Sequence, residues 1–179
     1  CAAYIGAKEM EAQGHFPSGP LRGYKTDVWE GGHRVPFVVR WPGVVQPGGV
    51  CKQLVHHADV IATLADVFQT KLPDMAGEDS FSLIPLLKGA DKPIREHAVS
   101  CAARGTAGLR NGPWKLIFER DPQANTDVRL YNLDDDLGET KNFAADKPEL
   151  VAEMKVLMER LVKNGRSTPG TAQKNDVDV

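Results

Sequence analysis

Residues 19–43 read GPLRGYKTDVWEGGHRVPFVVRWPG, and this stretch decides the fold. Its first part continues a Gly- and Pro-dense run, HFPSGPLRGYK, which predicts an irregular but positioned loop over residues 15–25. Trp29-Glu30-Gly31-Gly32 follows, and its two glycines permit a backbone path that side chains would block. Residues 35–41, VPFVVRW, form a near-continuous run of β-branched and aromatic residues that predicts a buried strand, ended by the Pro42-Gly43 turn signal.

Outward from this stretch, residues 7–13 are good helix formers that stop at Gly14. Downstream, the spacing of Val60, Ile61, Leu64, Val67 and Phe68 predicts an amphipathic helix over 59–68, with Asp59 or His57 as its cap. Strand, turn and helix in that order belong to an α/β layer. Residues 69–93 are rich in Pro, Gly and Asp around a short apolar piece, FSLIPLL, and predict a surface-crossing connection.

The pattern then changes. HAVSCA (97–102), PWKLIFE (113–119) and VRLYNL (128–133) predict short strands separated by turn-rich segments. Trp114, Leu116 and Phe118 alternate with Lys115, Ile117 and Glu119, as in a sheet with unlike faces. Asp146, Pro148 and Glu149 open a terminal helix with Leu150, Met154, Leu157, Met158 and Leu161 as its apolar stripe and Asn164-Gly165 as its end. The division expected is 1–92, part of an α/β domain; 93–165, a small α+β subdomain; and 166–179, a disordered tail.

The 179 residues carry a net charge of −2, without a Lys/Arg run that would mark a nucleic-acid surface and without an apolar stretch long enough for a membrane span. Cys1, Cys51 and Cys101 are too widely spaced for a zinc site or disulfide scaffold, and Cys51 and Cys101 read as small core-like residues. His56-His57 reads as helix entry, because adjacent side chains diverge, and Asp134-Asp135-Asp136 as a strand-ending turn without the spacing of a calcium loop.

The run Arg22-Gly23-Tyr24-Lys25, Trp29-Glu30-Gly31-Gly32, Arg34-Val35-Pro36 and Trp41-Pro42-Gly43 resembles the signature of formylglycine-dependent (type I, arylsulfatase-like) sulfatases. HHADVIATLADVF (56–68) resembles that family's Asp-led helix, with Ala62 where proline is common. GLRNGPWKLIF (108–118) and LYNLDDDLGETKNFA (130–144) resemble its small carboxy-terminal subdomain. The resemblance covers residues 14 to 162 and implies the carboxy-terminal part of an alkaline-phosphatase-like α/β sulfatase fold, followed by a small antiparallel sheet and a terminal helix.

It also implies sulfate-ester hydrolysis by the full-length protein, in which a hydrated formylglycine attacks sulfur beside a calcium ion. Neither the C/S-x-P-x-R motif that carries the nucleophile nor the aspartates and Asp-Asn pair of the metal site occur in this stretch, so no metal ligand is assigned and the missing amino-terminal part is an expected partner. Lys25 matches the family's catalytic lysine, a cationic donor to a sulfate oxygen; His15 and Arg22 are candidate substrate contacts, and Arg22 is also expected to brace the loop through a carboxylate such as Glu30. His33 reads as a packing residue. The substrate implied is a polysaccharide, sugar or aryl sulfate, and family habit points to a periplasmic, extracellular or lysosome-like setting. Two other readings are a phosphoryl or phosphonate hydrolase of the same superfamily and a non-catalytic anion- or glycan-binding module.

Overall fold

A computed structural model describes residues 5–119 and 126–175. They divide into two units, one made of the chain up to Phe37 with Val99–Met154, the other of Val38–Ala98 with the chain from Lys155 onward.

The first unit opens with helix α1, Ala7–Ala12, where the sequence predicts it. A loop leads to the short helix α2, Glu30–His33. The sheet runs β1 (His97–Cys101), β2 (Ala107–Asn111), β3 (Trp114–Phe118) and β4 (Val128–Asn132), with its strands side by side in chain order. β2–β3 and β3–β4 are antiparallel. Three strands fall where sequence patterning places them. β2 does not: its Ala-Gly-Leu-Arg-Asn composition reads as a turn, and it is a strand because β3 offers it a full ladder from Ala107↔Phe118 to Asn111↔Trp114.

Leu116 sits between Leu109 and Leu130 in register, and all three are fully buried. On the opposite face Ile117 and Tyr131 cluster with Val28 and Leu133, flanked by Trp29 and Ala102. Both faces are therefore dry. The alternation of Trp114–Glu119 predicts two unlike faces, and Lys115, on the one that carries charge, is only 1% exposed. Period-two patterning says that two faces differ in chemistry; it does not say that the polar one is wet.

In the second unit, helix α3 spans Asp59–Val67, as predicted, but turns the other way. Val60, Ile61, Leu64, Val67 and Phe68 are exposed, Phe68 at 73%. The inward side is polar. Asp59 is fully buried, the Thr63 hydroxyl donates to the Asp59 carbonyl and accepts from Leu83 N–H at 2.9 Å, and Ala62 N–H donates to Ser80 Oγ at 2.9 Å. The Asp59 carboxylate receives His56 N–H at 2.7 Å, Phe81 N–H at 3.0 Å and the Arg95 guanidinium. It ties the 79–83 segment to the helix instead of capping it. Ahead of the helix, His56 Nδ1 accepts Ala58 N–H at 3.1 Å; burial, aided by Arg95, lowers the affinity of this ring for a second proton.

The connection 69–93 contains helix α4, Ile84–Leu87, and buries Leu83 and Leu86. The strand expected over 35–41 does not form: these residues make no ladder among the described residues, and Phe37 and Val38 are exposed. Apolar composition suits a strand, but a strand exists only beside a partner with free backbone groups. Cys51 and Cys101 are exposed free thiols, not core residues.

Helix α5, Pro148–Asn164, buries Val151 and Met154, and ends at Gly165 with a left-handed φ of 60°. Beyond it, Arg166 is buried, donating to the Asp74 carboxylate at 2.9 Å and to the carbonyl of Thr171 at 3.0 Å; Thr168 Oγ1 donates to the Glu78 carbonyl at 2.6 Å. Composition alone reads this segment as a tail; one buried arginine, bonded to Asp74 and Thr171, anchors it. Residues 176–179 of the expected tail lie outside the described residues. No helix among the described residues is long and apolar enough to cross a membrane.

Candidate active-site loop

The segment Arg22–Asp27 is fixed at every end. Ser18 Oγ donates to the Gly23 carbonyl at 3.0 Å, and Tyr24 N–H donates to Asp27 Oδ2 at 2.9 Å. Gly31 N–H donates to the Arg22 carbonyl at 2.7 Å, and Ala103 N–H to the Thr26 carbonyl at 3.0 Å. The Tyr24 hydroxyl reaches the Glu11 carboxylate of α1. Thr26 holds φ 91°, a conformation that a β-branched residue adopts only at a cost of about 1–3 kcal/mol, supplied by the contacts on either side.

Gly31 and Gly32 make this packing possible. A Cβ on Gly31 would lie 2.2 Å from the Gly23 carbonyl oxygen and 2.6 Å from that of Arg22, while one on Gly32 would lie 2.1 Å from the Asp27 carbonyl oxygen. Both glycines are helical, so what they permit is the close approach of α2 to the loop, not an unusual turn. Gly31→Ala is expected to lose about 1–3 kcal/mol of stability, because backbone and not a flexible side chain has to yield. Thermal melts check this; a wild-type melting temperature would mean that helix and loop are not in contact.

Lys25 is exposed on this loop and its side chain has no partner among the described residues. His15 is exposed at the start of the preceding Gly/Pro run. Arg22 does brace the loop, but through other partners than Glu30: its Nη1 donates to the Glu139 carbonyl at 2.8 Å and its guanidinium stacks 3.6 Å from the centre of the Trp29 ring. Glu30 is approached by Arg34 instead, at 3.5 Å.

Beneath α2 lies a buried charge cluster that sequence reading missed. Lys115 Nζ is 3.1 Å from Glu30 Oε1 and 2.8 Å from Glu139 Oε1, and Glu139 Oε2 accepts Glu30 N–H at 2.7 Å. His33 Nε2 lies 3.2 Å from Lys115 Nζ and 3.5 Å from Glu30 Oε1. Glu30, Lys115 and Glu139 are each no more than 3% exposed. The only sequence signal was a lysine inside an apolar strand pattern and a glutamate in a Gly-Glu-x-x-Asn turn. That turn is also held by Asp136, which accepts Thr140 N–H at 2.7 Å and Lys141 N–H at 2.9 Å, and by Asn142, which accepts Leu130 N–H at 3.0 Å. The Asp134–Asp136 run is thus spent on the turn itself.

The two carboxylates respond oppositely to the same ammonium. Burial pushes Glu30 up, but Lys115, then His33, outweigh it and hold the carboxyl below its ordinary 4.5. At Glu139 burial wins over Lys115 and the Glu30 N–H, with the Glu30 charge adding to it, and the carboxyl sits above 4.5. The Glu30 contribution to stability is therefore present above pH 4.5 and is lost as pH falls through its lowered value. The Glu139 contribution is present below 4.5 and is lost as pH rises through its raised value. Melting curves across pH 3–8 (roughly the window on both sides of a carboxyl pKa) are expected to show Glu30→Gln flattening the acid-side loss and Glu139→Gln flattening the loss on the neutral side. The same pH response in both variants would mean that the pair does not split this way.

The family described as N-sulphoglucosamine sulphohydrolase, C-terminal, matches residues 24–166. An N-acetylgalactosamine-6-O-sulfatase of Bacteroides thetaiotaomicron is 34% identical over 157 residues, covering 82% of this chain and 30% of the relative. Human arylsulfatase A is 31% identical over 167 residues, covering 78% and 32%. A solved structure from work on glycosaminoglycan metabolism by Bacteroides thetaiotaomicron superposes with a TM-score of 0.77 at 32% identity, covering 88% of this chain and 35% of that one. The chain spans about a third of the length of these relatives.

Proposed function

We propose that this chain, which belongs to the sulfatases as a member of their N-sulphoglucosamine sulphohydrolase C-terminal family, serves a full-length protein that hydrolyses sulfate esters, with Lys25 as a catalytic cation. The observation that carries this reading is an exposed lysine on a loop whose backbone is locked on both sides of it. An ammonium held in place needs no reorganisation as charge develops on the sulfate oxygens during S–O cleavage, and this is the condition under which a donor lowers a barrier. Its compact charge and three donors suit a tetrahedral oxyanion. In this reading His15 and Arg22 are substrate contacts, Arg22 with part of its guanidinium already committed to Glu139 and Trp29.

A formylglycine nucleophile and a calcium ion complete this chemistry in the proposal. The described residues do not fit the metal: no group of three or more His, Cys, Asp or Glu side chains among them could hold it. The substrate is a sulfated saccharide or aryl sulfate, a reading supported by the names of the relatives.

The test is turnover by the full-length protein on 4-nitrophenyl sulfate and on 6-O-sulfated N-acetylgalactosamine, beside the matching phosphate esters. Sulfate release is expected to exceed phosphate release on each pair. Faster release of phosphate would overturn the reading.

A further inference from the structure

Glu139 occupies the left-handed region at φ 51°, where a residue with a side chain costs on the order of 1 kcal/mol and glycine costs nothing. Its contacts end on the two segments that bracket Lys25. The carbonyl accepts Arg22, at the start of the loop, and carboxylate Oε2 accepts the N–H of Glu30, where α2 begins. Lys115 fixes the carboxylate from below and reaches Glu30 Oε1 as well. Apolar groups of similar size would fill this space with less desolvation, so the ions are poorly explained as a source of stability. They are well suited to setting one geometry.

We propose that Glu139 and Lys115 are positioning residues for Lys25, holding the Arg22–Asp27 loop and α2 in the single register that presents the Lys25 ammonium to substrate. This rests on the reading of Lys25 given above. The residues act through Lys25 and do not touch the reacting atoms.

The test is a double-mutant cycle in the full-length protein, read on 4-nitrophenyl sulfate, with Lys25→Ala, Glu139→Gln and their combination. Glu139→Gln is expected to lower kcat about tenfold in the wild-type background and less than twofold once Lys25 is gone, because coupled residues are non-additive. Equal losses in both backgrounds would show that Glu139 serves something other than Lys25 and would overturn the proposal. A loss with Lys25→Ala but none with Glu139→Gln would also overturn it while leaving the Lys25 reading intact. No loss with Lys25→Ala would remove that reading, and the proposal with it. If the glutamine variant does not fold, Glu139→Gly, which deletes the carboxylate while relieving the backbone, is read in the same way. Amide exchange of Glu30 and Gly31 in the wild-type protein gives an independent measure: strong protection is expected, and exchange at loop rates would refute the clamp.

Discussion

Replacing Lys25 with alanine in the full-length protein is expected to lower kcat by about 10²–10³-fold, the usual effect of removing one preorganised donor to a developing charge. KM is expected to stay within about threefold, because an interaction that strengthens in the transition state contributes little to ground-state binding. Lys25→Arg should recover only part of the loss: a planar fork cannot occupy the position of a compact ammonium on a fixed loop. The melt should not move, since Lys25 is exposed and its side chain has no partner among the described residues. Steady-state kinetics on an aryl sulfate decide the matter. A rise in KM with kcat intact would make Lys25 a binding residue and not a catalytic one.

The second large effect is structural. Lys115→Met strands two buried carboxylates, those of Glu30 and Glu139, without the ammonium that both contact. Breaking a buried pair on one side costs about 3–5 kcal/mol, since the remaining charge cannot be solvated. For a domain of this size that is a fall in melting temperature of roughly 6–20 °C. Adding Glu139→Gln should restore part of the loss, because it neutralises the carboxylate that burial already disfavours as an anion. Calorimetry of the single and double variants checks both statements. A Lys115→Met protein that melts with the wild type would mean that water reaches the cluster.

Each of these effects also marks how far sequence reading extends. The loop around Lys25, the glycine pair, α1, α3, α5 and three of the four strands are all visible as local pattern, because turn chemistry and hydrophobic period are properties of neighbouring residues. Lys25 itself is singled out by the resemblance of the ordered run Arg-Gly-x-Lys, Trp-Glu-Gly-Gly to the sulfatase signature; apart from that resemblance it reads as a solvated loop lysine.

What patterning could not reach is what distant segments do to one another. α3 reads as a helix with an apolar inner face, yet buried Asp59 and its bonds to 79–83 turn that face outward. Lys115 reads only as a lysine inside an apolar strand pattern, and it is Glu30, 85 positions away, that pairs with it in a buried cluster. Residues 35–41 have every local mark of a strand and lack only a partner among the described residues. Local chemistry carries the family, most element types and, through the family resemblance, the candidate lysine. Which faces are dry, which charges are paired and what holds the Lys25 loop still come from tertiary contacts. Burial and electrostatic pairing are set by whatever arrives from elsewhere in the chain.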